Sequence, residues 1–428
     1  MIDSGAPGVM LEHLFRRQAG RMVSHLARLL GPAHLSLAEE AVQDSMLRAL
    51  SLWPYEGVPQ NPEGWLFRVA RNAAIDAIRR QRMTEAKAGE LTAELIRSVS
   101  RTPGDPDVET SLRDDELSLI FMCCHPAIPS DSRVALSLKT ACGFSVREIS
   151  RALLAEDSAV AQRLVRAKRQ IRDQSLSIEM PRGKDVEDRI DSVLAVIYCM
   201  FNEGYSAHEG EDLIRFDLCQ EALRLGLLIG SSTFTRPKVH ALVALMALQA
   251  ARIPARVDAA GDLVLLEDQD ASRWDRQLIG LGFHHFDKSM EGSEVSRYHV
   301  ESAIAATHAS QPVDWVRVVE LYDQLVELYG GSPVVQLNRA VALARLHGPE
   351  VGLAAIEHLR SDQQLRDYHL LLSAEGHFLL ELGRAEEAAA AFRRALVCRC
   401  SEPERRFLRR KLIECGEIAL GSRSVPRD

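Results

Sequence analysis

The stretch Gly143 to Arg172, GFSVREISRALLAEDSAVAQRLVRAKRQIR, constrains the fold of this chain more than any other, because it reads as a helix-turn-helix. Ser145 precedes a short helical pattern with Ile149, Ala152 and Leu153 on one face and Glu148 in its first turn. Ala155, Glu156, Asp157 and Ser158 supply a turn and an N-cap for a second helix. In that helix Val160, Leu164, Ala167 and Ile171 face inward at helical spacing, while Gln162, Arg163, Arg166 and Arg169 face outward. Such a helix can enter the major groove, where Arg and Gln read base edges and pair with phosphates. Between Ser145 and Arg172 seven Lys/Arg stand against three Asp/Glu, although the whole chain carries a formal net charge of −8. An acidic chain does not bind nucleic acid through its overall charge, so any DNA contact has to come from local basic faces. An ordinary amphipathic helix pair with a solvated basic face gives the same pattern, and the rest of the chain decides between the two.

Aromatic residues are few, at 5%, while Ala, Leu and Arg dominate, which predicts an all-α fold. At 428 residues the chain is long enough for two to four domains. Residues 10–83 read as a compact helical block, and residues 84–109, acidic and interrupted by Thr102-Pro103-Gly104-Asp105-Pro106, as a linker. Residues 110–173 form a second small helical block that ends in the helix-turn-helix. After a connector, residues 186–280 read as a helical middle domain and residues 281–420 as a helical repeat domain. In the latter, Gly376, Ala388, Phe392 and Ala395 stand at the offsets where a tetratricopeptide unit places its packing residues; a plain bundle with Ala-rich faces is the alternative.

The longest apolar runs, around Val193–Phe201 and Ala241–Ala251, fall short of the roughly 18–20 residues that span a bilayer. With no basic-then-apolar leader at the N-terminus, a cytoplasmic protein with no membrane partner is expected. The eight cysteines form no paired CxxC framework. Cys123, Cys124 and His125 lack a second ligand pair at metal spacing, so thiols in a helical core are expected and no metal.

Asn61-Pro62-Glu63-Gly64-Trp65 opens a two-faced helix running to Arg82. Leu66, Val69, Ala70, Ala73 and Ala77 fall on one side, and Arg68, Asn72, Arg79 and Arg82 on the other, with Arg71 at the margin. A cationic stripe with Trp65 at its head suits phosphate contacts and the capture of an unstacked base, though a solvated basic face reads the same way. Upstream, in LAEEAVQDSMLRAL (37–50), Ala41, Met46 and Leu50 are candidate core, while Glu40, Gln43, Asp44 and Leu47 suit a protein partner. Phe201-Asn202-Glu203-Gly204-Tyr205, with His208 nearby, invites an acid–base reading, but no nucleophile, phosphate loop or metal spacing completes a site. A helix-ending turn, with Gly204 at positive φ, is the expectation, and this turn is a candidate regulatory element.

AEEAVQDSMLRAL, NPEGWLFRVARNAAIDAIRR and GFSVREISRALL…AVAQRLVRAKRQIR, in this order, resemble regions 2 and 4 of an extracytoplasmic-function (ECF) sigma factor of the sigma-70 family. LIFMCCHPAIPSDSRVALSLKTACGFS, VIYCMFNEGYSA, ALQAARIPARVDAAGDLVLLEDQDASRWD and PVVQLNRAVALA resemble the subgroup with a long C-terminal helical extension ending in tetratricopeptide-like repeats. One departure is Ala271, where that subgroup usually carries Arg after Gln-Asp.

The resemblance implies two small helical sigma domains joined by the linker and followed by the extension. It implies that Glu40, Gln43, Asp44 and Leu47 dock on the RNA polymerase core. Asn61 and Trp65 sit where the family captures a −10 base, with Arg68, Arg71, Asn72, Arg79 and Arg80 facing the melted strand. Ser158, Gln162, Arg163 and Arg166 would read the −35 element, with Lys168 and Arg169 as phosphate contacts or solvated residues. Residues 84–109 would thread the polymerase's nucleic-acid channel. The partners implied are core polymerase, promoter DNA and a protein held by the repeats; no cofactor and no catalysis are implied, since the polymerase does the chemistry. A polymerase-independent operator-binding regulator and a ligand-sensing or enzymatic C-terminal half stand as alternatives.

Overall fold

Strong helix formers dominate the sequence, and no stretch of period-two alternation competes with them. Among the described residues the one pairing of extended backbone is the isolated bridge between Val257 and Leu263. The computed structural model describes residues 7–83, 106–153, 155–181, 183–206, 214–329, 332–363 and 365–423. They fall into two units, residues 1–200 and 201–428.

The first unit contains α1 (Pro7–Leu30), α2 (Leu35–Glu56), α3 (Pro62–Met83), α4 (Pro106–Cys123), α5 (Ser130–Thr140), α6 (Val146–Ala152), α7 (Asp157–Asp173) and most of α8 (Lys184–Tyr205). Helix α2 packs on α1 and α3, and α4 packs on the other flank of α1. The sequence reading ends the linker at residue 109, but α4 already begins at Pro106, because proline's fixed φ suits the first helical position. Residues 84–105 of that linker lie outside the described residues.

Two core assignments need correction. In α2 the buried line is Ala38, Ala41, Val42, Met46, Ala49 and Trp53, while Leu50 is 48% exposed beside Leu47. In α3 the buried stripe is Leu66, Phe67, Ala70, Ala74 and Ile78, leaving Val69, Ala73 and Ala77 half-buried. Burying the larger Phe67 and Ile78 removes more apolar area than burying alanines, so the helix is rotated by about one position from the reading based on alanine periodicity.

In the second unit α10 (Pro237–Ala250) is apolar on nearly every side, and Val239 through Leu248 are all buried. It is surrounded by α9 (Phe216–Gly230), α11 (Arg276–Ser289) and α12 (Arg297–Ala309). Beyond these come α13 (Trp315–Tyr329), α14 (Pro333–His347), α15 (Pro349–Ile356), α16 (His369–Glu381), α17 (Ala385–Val397) and α18 (Glu402–Arg423). Each packs chiefly on its neighbours in sequence, the pattern of a stacked helical array. Ala388, Phe392 and Ala395 are fully buried in one cluster with Leu372 and Leu379.

Burial holds five histidines of this unit, His240, His285, His299, His308 and His377, below the ordinary imidazole range, with His285 and His308 down to about 4. Nδ1 of His240 and Nδ1 of His285 lie 2.9 Å apart, so one donates and the other accepts as a neutral ring. Each depressed histidine is neutral when folded and takes up a proton on unfolding below its unfolded pKa of about 6.5. Its stabilisation is therefore complete above that pH and declines as the pH falls towards the folded value, about 4 for His285 and His308. At pH 5, His285 and His308 are each expected to remove on the order of 2 kcal/mol. Thermal unfolding followed from pH 7 to pH 5 should show a steep fall in Tm, flattened in His308→Phe.

Candidate nucleic-acid interface

Helix α3 starts at Pro62, and Asn61 immediately before it accepts a hydrogen bond from Gly64 N at 2.8 Å through Oδ1, an N-cap contact. Asn61, Trp65, Arg68, Asn72 and Arg79 follow one another at helical spacing along one face. All are exposed except Trp65, which is half-buried edge-on against Trp53 with ring centroids 5.5 Å apart. Asp76 falls on the same line and pairs with Arg79 at 3.6 Å. Arg80 is exposed on the adjoining side, its Nε donating to Asp76 O at 3.3 Å. Arg71 is half-buried, and burial, with the like charge of Arg68 adding to it, lowers its guanidinium pKa. Predominantly cationic charge, offset by Asp76, gathered on a helix whose other face is core can line up with a phosphate backbone.

The helix-turn-helix forms where its pattern predicts, although Glu156, at the N-cap of α7, makes no side-chain capping hydrogen bond. Ser145 and Glu148 make a reciprocal capping box on α6, with Ser145 N donating to Glu148 Oε2 at 2.8 Å and Glu148 N donating to Ser145 Oγ at 3.2 Å. Asp157 in the first turn of α7 accepts from the Ser150 hydroxyl, tying the two helices together. Val160, Leu164, Ala167 and Ile171 are buried, and Ser158, Gln162, Arg166 and Arg169 are exposed. Arg163 and Arg166 reach Asp131 of α5 at 3.3 and 3.7 Å, and Arg169 reaches Asp173 at 3.2 Å. Lys168 sits apart from this set: its ammonium lies 2.5 Å from Glu39 Oε2 in α2, and is turned towards the first helical block rather than outward with Gln162. On α2, Glu40, Gln43, Asp44 and Leu47 are all exposed, Leu47 at 62%, and with Leu50 they form one face.

Apart from Lys168, the residues that join the two helical blocks are ones the sequence reading does not single out. Glu39, only 8% exposed, accepts from Thr140 Oγ1 at 2.9 Å as well as from Lys168. Asp115, at 1% exposure, pairs with Arg28 and with His25 Nδ1 at 2.8 Å, and Glu116 lies 3.6 Å from Arg21. Gly20 of α1 lies so close to the end of α5 that a Cβ there would stand 1.8 Å from the Ala141 carbonyl oxygen. Cys123 and Cys124 are buried thiols, pushed up by burial, Cys124 to about 12.

The Phe201–Tyr205 segment requires a correction. It is the last turn of α8, still helical, and Gly204 is not among the glycines at positive φ. Glycine is needed there for close approach: a Cβ would lie 2.8 Å from Cys219 N and 2.9 Å from Arg215 O. Glu203 is buried 3.7 Å from Arg215. The Tyr205 ring stacks on Phe201 at 5.6 Å and lies under the Arg256 guanidinium at 3.9 Å. Arg252 donates to its hydroxyl at 3.2 Å. Burial alone would raise the Tyr205 pKa, but the charges of Arg252 and Arg256 together outweigh it and lower the phenol.

Residues 14–84 match the family described as Sigma-70 region 2, and residues 118–171 match Sigma-70, region 4. Residues 189–290 match a family of unknown function, DUF6596. The chain is 34% identical to the RNA polymerase sigma factor CarQ of Myxococcus xanthus, over 32% of its own length and 73% of CarQ. It is 29% identical to the ECF RNA polymerase sigma factor SigE of Mycolicibacterium smegmatis, over 38% of its own length and 60% of SigE. An uncharacterized protein of Rhizobium meliloti is 40% identical over 89% of this chain and 90% of its own. No solved structure matches. The chain belongs to the RNA polymerase sigma factors and is ECF-like, with regions 2 and 4 followed by a large helical extension. Its function is to direct RNA polymerase to promoters at the start of transcription.

Proposed function

We propose that the three exposed helix faces divide the work of promoter recognition. Glu40, Gln43, Asp44 and Leu47 dock on the polymerase core. Asn61, Trp65, Arg68, Arg71, Asn72, Arg79 and Arg80 open and hold the −10 element. Ser158, Gln162, Arg163, Arg166 and Arg169 meet the −35 element, and Lys168 joins them once it leaves Glu39. The observation that carries this reading is that α2, α3 and α7 each bury one apolar side and leave these polar residues on the other. Opening a few base pairs costs several kcal/mol, which phosphate contacts, captured bases and polymerase binding together supply.

The finer reading is of a sigma factor controlled by its own C-terminal half. Residues 186–280 and 281–420 act as a middle domain and a tetratricopeptide-like repeat domain. The extension regulates polymerase binding and holds a protein partner, and the neighbour-on-neighbour stacking of α13 to α18 supports that reading.

Run-off transcription with purified core polymerase tests the site assignments and the control together. Start sites that appear only on addition of the chain, and change on truncation after residue 180, are the expected result. Unchanged transcription and unchanged polymerase affinity after truncation refute control by the extension. Because Leu47 is already exposed, Leu47→Arg should leave Tm unaltered while lowering polymerase affinity at least about tenfold, measured by titration of labelled protein into core enzyme.

A further inference from the structure

Between α10 and α11 the sequence DAAGDLVLLEDQDASR (258–273) forms only the bridge at Leu263 and two short 3-10 turns, Leu266–Asp268 and Ala271–Arg273. This strap is tied to the stacked helices at two points. At one, Arg406 of α18 pairs with Asp262 and donates to Gly261 O at 3.0 Å, while Arg410 lies 3.3 Å from Asp262 and donates to Leu263 O at 3.3 Å. At the other, Arg345 of α14 donates to Glu267 at 2.8 Å, and also to Glu381 of α16 at 3.1 Å. Between the two points Leu265 and Leu266 border a cavity of about 690 Å³ whose other walls include Trp315, Leu337, Val341 and Phe378. The strap thus lies on the helices as an irregular peptide, turned at residues 258–262 and again at Leu266–Asp268, with an acid near each end and aliphatic residues between them.

We propose that this face of the helix array is a binding site for an acidic–aliphatic segment of a partner protein, which the chain's own strap occupies when the partner is absent. This deepens the reading that the repeats hold a protein partner, and rests on it. Two of the contacts at Arg406 and Arg410 are made to backbone carbonyls, so any extended peptide can make them. Arg345, Arg406 and Arg410 match carboxylates set at the spacing of Asp262 and Glu267. The strap is held loosely: Val264, Leu265 and Leu266 are only half-buried, and Glu267 and Asp268 are exposed. The cavity beside the leucines leaves room for further apolar side chains.

The probe is a fluorescein-labelled synthetic peptide of residues 260–270, titrated into the full chain. Leu265→Ser with Leu266→Ser weakens the internal competitor, so the peptide should bind this double variant at least about tenfold more tightly than the unaltered chain. Arg345→Glu should abolish binding, and a peptide carrying Glu267→Arg should restore it, which also shows that the variant is folded. With the unaltered chain, excess peptide should speed amide exchange in residues 262–268. Three results overturn the proposal: no binding to any variant, equal binding to Arg345→Glu, or a cavity that takes a small apolar dye while refusing the peptide. Run-off transcription in the presence of peptide separates site from role. Binding without change in transcription keeps the site and overturns control through it.

Discussion

Replacing Gly20 by valine is expected to drive the two sigma blocks of the first unit apart while each stays folded. A Cβ at this position lands 1.8 Å from the Ala141 carbonyl oxygen, a backbone atom that has no rotamer through which to yield. What resists the separation is the packing of α4 on α1, together with polar contacts: Glu39 with Thr140 and Lys168, and Asp115 with His25 and Arg28. Buried ion pairs contribute little net stability once their desolvation is counted, so the steric clash outweighs them. On a promoter the −35 and −10 elements lie about two and a half helical turns apart, roughly 80 Å along the duplex. If α3 holds the second, as proposed above, region 4 cannot reach the first while Lys168 touches Glu39. The closed arrangement therefore competes with promoter binding, and each ~1.4 kcal/mol in its favour lowers apparent affinity tenfold. Gly20→Val should lengthen the distance between fluorophores placed at Arg48 and Ala161, and raise affinity for polymerase-bound promoter by about tenfold or more. Thr140→Val, which removes only the hydrogen bond to Glu39, should act in the same direction and less strongly. A folded Gly20→Val protein with an unchanged distance contradicts the account.

What was legible in the sequence was local. Val160, Leu164, Ala167 and Ile171 repeat at helical spacing, and Ser145 with Glu148 announces its own capping box, so the helix-turn-helix could be drawn residue by residue. Helices α2 and α3 were legible as helices but not in rotation, because alanine is ambivalent about burial; hence Leu50 was wrongly placed inside and Ile78 overlooked. The clasp was not legible at all. Glu39 and Glu40 are chemically identical neighbours, yet one is buried against Thr140, 101 positions away, and the other is exposed. Nothing local marks such a partner. Gly204 fails for a related reason: glycine serves both positive φ and close approach, and only the neighbouring chain, here Arg215 and Cys219, shows which.

That second role makes Gly204 intolerant of a side chain. Valine there should cost about 4 kcal/mol or more, since its Cβ would meet the backbone of Arg215 and Cys219 at 2.9 and 2.8 Å and the branched methyls reach further still. The neighbouring tyrosine allows a graded comparison. Tyr205→Ala deletes a ring packed between Phe201 and the Arg256 guanidinium and should cost about 3–5 kcal/mol. Tyr205→Phe keeps that packing and loses only the hydrogen bond from Arg252, which should cost about 1–2 kcal/mol. If Gly204 and Tyr205 hold the end of α8 in place, the effects should follow this order in Tm, and Tyr205→Phe should transcribe nearly normally. If instead the phenol did acid–base work, Tyr205→Phe would lose function with its stability almost intact. Thermal unfolding and run-off transcription measured on the same three proteins separate the two. The helical geometry of Gly204 and the pair of arginines on Tyr205 lead us to expect the ranking by packing.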